Sequence, residues 1–295
     1  MFQSIATPAL IADTTVHDFV PTTGGEPWRI FLHVPPGEAP EAGWPVLYMT
    51  DGNAVIGTAV DAMRAQSGYP SGTNVEDGVI VAIGYPVAGA YDPLRRSWDL
   101  GPPPGKTYPP FHEGGPEVRT GGAEKFLAFI EDELKPFVAS RARIDAGRQA
   151  LYGHSFGGLF ALYALFTRPR AFSTWIAASP AIYWEDRAID RFLETFETAV
   201  PDGLSAQMIL SAGEYETEKL APFQIGAADE QKRLEQKKLT RTDESARMMA
   251  ERLDAIPSLR ASFELHAGEN HMSILPVAVN RAVQTAFAVQ RGDGR

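Results

Sequence analysis

The chain has 295 residues, 44% of them hydrophobic, with 27 Lys+Arg against 37 Asp+Glu and a formal net charge of -10. This apolar content supplies a sizeable core, and an acidic balance without a basic run excludes nucleic acid as an expected partner. There is no cysteine, so disulfides, zinc–thiolate sites and a thiol nucleophile are excluded, and any nucleophile is an oxygen or nitrogen group.

The first residues, Met1-Phe2-Gln3-Ser4-Ile5-Ala6, have neither the positive stretch nor the apolar run of a signal peptide. Nowhere do about 18 apolar residues run together, so a cytoplasmic protein without a membrane segment is expected. Apolar runs at 15–20, 28–34 and 46–50, bounded by Pro or Gly, predict strands. Thr22-Thr23-Gly24-Gly25 fits a hairpin turn between the first two, which makes the opening antiparallel. Further strand-like runs at 79–83, 149–152, 173–178, 207–211 and 261–266 alternate with helix-length segments of 3.6-residue periodicity. That alternation predicts a mostly parallel central sheet with helices on both faces.

Residues 90–121 are rich in Pro, Gly and Tyr and lack periodicity, which predicts a long irregular loop walling a pocket. Residues 122–139 predict a helix that packs on the sheet through Phe126, Leu127, Phe129, Ile130, Leu134 and Phe137. The charged segment 229–255, with Leu234, Leu239, Met248, Met249 and Leu253 at helical spacing, predicts an exposed helix or a small cap. No boundary or repeat divides the chain, so residues 1–295 are expected to form a single α/β domain.

Gly153-His154-Ser155-Phe156-Gly157 matches G-x-S-x-G between a predicted strand and a predicted helix. In that setting the small residues allow a strained turn that presents the Ser155 hydroxyl at the carboxyl edge of the sheet. A serine hydroxyl needs a base within reach, and the base needs a group to orient it. Two of the six histidines follow Ser155. His266 lies inside the last strand-like run and suits a structural role, whereas His271 lies in the loop after it and is the expected base. The acid belongs after the strand at 207–211, where Glu216 is preferred and Glu214 is the alternative. Oxyanion donors, each worth about 3 kcal/mol in the transition state, are expected from the Phe156 amide and from Asn53 in Thr50-Asp51-Gly52-Asn53. Asp51 is expected to hydrogen-bond its own loop.

Val46-Leu47-Tyr48-Met49-Thr50-Asp51-Gly52-Asn53-Ala54-Val55, the Ser155 motif through Phe160, Ala178-Ser179-Pro180 and Gly268-Glu269-Asn270-His271 together resemble the esterase D-like α/β-hydrolases. Within that group the chain looks most like the ferric-siderophore esterases that open enterobactin and salmochelin trilactones. The resemblance implies the α/β-hydrolase fold and hydrolysis of a small-molecule ester or lactone through an acyl-enzyme on Ser155, with no metal and no cofactor. It also implies that Arg96 faces an anionic catecholate, with Arg95 completing a local cationic pair; an ion pair from Arg96 to Asp92 or Asp99 is the structural alternative. Trp98, Tyr183 and Trp184 are candidate stacking residues, or simply packed aromatics. Two other functions stay open: a different carboxylesterase or thioesterase of the same fold, and a non-catalytic binding protein on a hydrolase scaffold. Oligomeric state is not legible in the sequence.

Overall fold

A computed structural model describes residues 9–290 of the chain. The elements begin with β1 (Thr14–Phe19), β2 (Trp28–His33), β3 (Trp44–Thr50), α1 (Gly52–Ser67), α2 (Pro70–Thr73) and β4 (Val79–Gly84). The chain continues through α3 (Pro93–Leu100), the short strands β5 (Thr107–Tyr108) and β6 (Val118–Arg119), α4 (Ala123–Phe129), α5 (Lys135–Arg141), β7 (Ile144–His154) and α6 (Phe156–Thr167). It closes with β8 (Thr174–Ala178), α7 (Trp184–Arg187), α8 (Asp190–Thr198), β9 (Ala206–Gly213), α9 (Glu230–Thr240), α10 (Thr242–Asp254), β10 (Leu259–His266) and α11 (Ile274–Ala286).

Eight strands form the main sheet in the order β1-β2-β4-β3-β7-β8-β9-β10. β1 and β2 are antiparallel and β2 meets β4 antiparallel, while every pairing from β4 through β3 to β10 is parallel. The central strands are buried on both faces, and their two-residue alternation sends side chains into two separate cores. In β3, Val46 and Tyr48 join the larger core, whereas Leu47 and Met49 join the core under α1 and α11. This is an α/β-hydrolase fold with helices on both faces.

Three segments differ in detail from the sequence expectation. Within 90–121 the chain forms α3 and a small β5–β6 hairpin. Asp92 caps α3 by accepting from Arg95 N–H, and Pro93 opens it. The expected helix at 122–139 is continuous but widens into a π-helical turn at Ile130–Leu134. Pro136 follows at once; it has no N–H to donate, its ring crowds the preceding turn, and the wider turn absorbs both defects. The charged segment breaks into two helices at Arg241, whose φ is 40°. α10 packs against β9 and β10 and buries Ala246, Met249, Ala250 and Leu253, whereas α9 buries no residue. Thus α9 is the exposed helix of the two, and α10 belongs to the packing on the sheet.

Candidate active site

β7 ends at His154, Ser155 takes the turn, and α6 starts at Phe156. Ser155 sits at φ 59° and ψ -114°, a conformation that L-residues rarely adopt. The turn is held from both sides: Ser155 N–H donates to Ala178 O at 2.9 Å, and Ala181 N–H donates to Ser155 O at 3.1 Å. Its glycines are steric requirements. A Cβ on Gly153 would lie 2.0 Å from Gly157 O, and one on Gly157 would lie 2.2 Å from Thr50 Oγ1.

His271 follows β10 in the loop before α11, and its Nε2 lies 3.0 Å from Ser155 Oγ. Its Nδ1 lies 2.5 Å from Glu216 Oε1. Glu216 follows β9 and is buried. Its second oxygen accepts from Ser179 Oγ at 2.5 Å and from Gly213 N–H at 2.8 Å, which fixes the carboxylate plane. Burial pushes the Glu216 carboxyl up, but the hydrogen bonds from His271, Gly213 and Ser179 outweigh it and leave the group below the usual carboxylate range. Glu214 acts on the backbone instead, where its carboxylate accepts from Gly268 N–H at 2.8 Å and so ties down the loop that carries His271. Neither the Phe156 nor the Asn53 amide N–H has an acceptor among the described residues. The Asn53 side chain is committed elsewhere, to the Tyr85 and Val87 carbonyls and the Tyr85 amide, so only its main-chain donor is available to a ligand.

Residues 22–252 match the model of the family described as "Putative esterase". The chain belongs to this esterase family. A ferri-bacillibactin esterase of Bacillus subtilis is 36% identical over 263 residues, spanning 88% of this chain and 84% of that protein. A siderophore triacetylfusarinine C esterase of Aspergillus fumigatus is 37% identical over 282 residues, 89% of each chain. Among solved structures, a siderophore hydrolase of Aspergillus nidulans superposes with a TM-score of 0.81 at 29% identity, covering 97% of both chains. The chain is therefore an ester-hydrolysing enzyme.

The other sequence candidates in this esterase separate into two groups. Arg96 closes a bidentate ion pair on Asp51, with Nε 2.9 Å from one carboxylate oxygen and Nη2 3.0 Å from the other. Its partner is thus Asp51 rather than Asp92 or Asp99, and the Asp51 carboxylate, expected to bond its own loop, makes no side-chain cap there and is given to Arg96. The Arg96 guanidinium also lies over the Phe156 ring, 5.5 Å from its centroid. Trp184 packs edge-on against the same ring at 4.6 Å, and Tyr183 flanks Glu216 and His271.

Arg95 and Trp98 point elsewhere. Arg95 donates to Pro27 O and Glu26 O and lies over Tyr85, while Trp98 carries Arg119 over its ring. Both line a separate cavity of ≈ 1030 Å³ that contains none of Ser155, Glu216 and His271. The physical reason is α3: successive residues of a helix diverge by about 100°, so Arg95 and Arg96 leave different flanks and do not act as a pair.

Sequence reasoning assigned no role to two residues at this site. Ser179 appeared only as part of a family motif, yet it holds Glu216. His154 is buried, and its Nε2–H donates to the main-chain oxygen of His271 at 2.8 Å. Burial first, and the neighbouring His271 charge second, push the His154 pKa down to about 3, which keeps the ring neutral. The histidine was visible in the motif, but its target lies 117 residues away in the sequence. Among the described residues no group of three or more His, Asp or Glu is placed to hold a metal ion.

Proposed function

We propose that this esterase opens the ester bonds of an iron-chelating siderophore, a catecholate trilactone, through an acyl-enzyme on Ser155, and that it does so in the cytoplasm. The observation that carries the mechanism is the unbroken contact from Ser155 Oγ to His271 Nε2 at 3.0 Å and from His271 Nδ1 to Glu216 at 2.5 Å. His271 Nε2 takes the hydroxyl proton as Oγ attacks the ester carbon, and the Phe156 and Asn53 amides meet the oxyanion. The same imidazolium then protonates the departing alkoxide, leaving an acyl ester on Ser155. Water attacks that ester with His271 again as base, Ser155 recovers a proton, and the carboxylic product leaves. Glu216 keeps the proton on Nδ1 and balances the imidazolium charge in each half-reaction.

The siderophore reading draws its support from the relatives, whose names specify siderophore esters, and from the aromatic surroundings of Ser155. Tyr183 and Trp184 supply walls for an aryl group. Arg96, clamped by Asp51, lies over the Phe156 ring and steadies that side of the site.

Labelling with an active-site phosphonate, followed by product analysis of a ferric trilactone digest, tests the proposal. One label per chain is expected in the wild type and none in Ser155→Ala, with kcat lowered at least about 10⁴-fold in that variant. A wild type that resists the phosphonate removes the nucleophile. A labelled enzyme that cuts short nitrophenyl esters quickly and leaves the trilactone intact removes the substrate.

A further inference from the structure

We infer that the cavity between α9 and the His271 loop is an anion-binding subsite, with Lys237 as its charge, that seats one anionic aryl arm of the substrate beside the reacting ester. The inference rests on the proposed roles of Ser155 and His271. The cavity encloses ≈ 240 Å³; Tyr183, Tyr215, Met272 and Lys237 line it together with His271 and Glu216. Pockets that take a whole drug-sized ligand span about 300–1,000 Å³, so this one suits a single ring-bearing arm.

The charges around Ser155 point to Lys237. A chain with a net charge of -10 repels an anionic substrate at long range, so an anion needs a local cation. Arg95 faces a different cavity, and the Arg96 fork is closed on Asp51. α9 brings two cations to the subsite. Arg233 is paired with Asp229 at 2.7 Å. Lys237 has no carboxylate within 4.0 Å among the described residues, and its ammonium donates to Tyr215 O. An ammonium has three donors, so two remain for a ligand. Burial pulls the Lys237 pKa down, against the weaker opposing pull of Glu216 and Asp243. A bound anion relieves that burial cost. Glu216 does not compete for the ligand position, because its oxygens are taken by His271, Ser179 and Gly213. The tyrosine faces and the Met272 thioether then favour an aryl carboxylate or phenolate over a small inorganic anion.

Two esters of nearly the same shape that differ in charge provide the test: 4-nitrophenyl 4-carbamoylbenzoate and the 4-nitrophenyl monoester of terephthalate. The wild type is expected to favour the anionic ester in kcat/KM. Lys237→Gln should lower that preference about tenfold, the worth of one charge-assisted hydrogen bond, with the loss in KM. Lys237→Glu should lower it further, and Lys237→Arg should retain it. As a measurement on the unaltered protein, benzoate should inhibit hydrolysis of the neutral ester competitively and benzamide should not. Equal preference in wild type and Lys237→Glu, or equal inhibition by benzoate and benzamide, overturns the subsite alone. A wild type that turns over neither ester and takes no phosphonate on Ser155 overturns the hydrolase mechanism, and the subsite with it.

Discussion

His271 is held at three points: Nε2 by Ser155, Nδ1 by Glu216, and its main-chain oxygen by His154. Two consecutive residues of the nucleophile turn therefore fix both the ring and the backbone of the same histidine. Replacing His154 by Phe removes the backbone donor and should lower kcat about 100-fold with little change in KM, the expected cost of misplacing a reacting group by about 1 Å. His154→Gln, whose side-chain amide can still donate to that carbonyl, should recover part of the loss; steady-state kinetics on a neutral nitrophenyl ester reads both. The order Ser155, Glu216, His271 was legible because a motif and the strand order are one-dimensional signals, and the structure brings those three side chains into contact. The roles of His154 and Ser179 were not legible, since each depends on what lies opposite a side chain in three dimensions.

At the level of elements, every strand of the main sheet was visible: the central strands, buried on both faces, leave continuous hydrophobic stretches, whereas the half-exposed edge strands β1 and β10 show as alternating apolar and polar residues. α3 was not visible. Its residues Pro93–Leu100 bury Ser97, Asp99 and Leu100, so their hydrophobic pattern is weak, and the element is set by its Asp92 cap and by tertiary contacts such as the bond from Trp28 Nε1 to Asp99. Missing that helix is what made Arg95 and Arg96 look like a pair. The segment 229–255 read as one helical unit because periodicity does not register a single left-handed residue at Arg241. The two helices it contains should differ sharply in local stability. α9 buries no residue, whereas α6 buries ten of its twelve. Native-state hydrogen exchange should show α9 amides exchanging through local opening and α6 amides only through global unfolding. Equal protection in the two helices would contradict the exposed position of α9.

Across the whole molecule, stability should carry the signature of one partly buried lysine. Lys135 donates to Ala171 O and lies 4.0 Å from the centre of the Phe172 ring. Burial lowers its pKa to about 8, against a weaker upward pull from Glu131. Between about pH 8 and its unfolded value near about 10.4, the unfolded chain binds a proton that the folded chain has released. Unfolding free energy therefore gains a rising contribution with pH across that window, and below it the lysine must be held charged in a poor environment. Urea titrations of wild type and Lys135→Met at several pH values should show that contribution in the first and not in the second. The turn at Ser155 bears on global stability in a different way. A residue that must sit at φ 59° to expose its hydroxyl is held there against its own backbone preference, at a cost of order 1–3 kcal/mol. Glycine carries no such penalty, so Ser155→Gly should melt above Ser155→Ala. The hardiest version of this protein would then be one that has given up its chemistry, and heat tolerance selected without regard to turnover would drift toward inert chains.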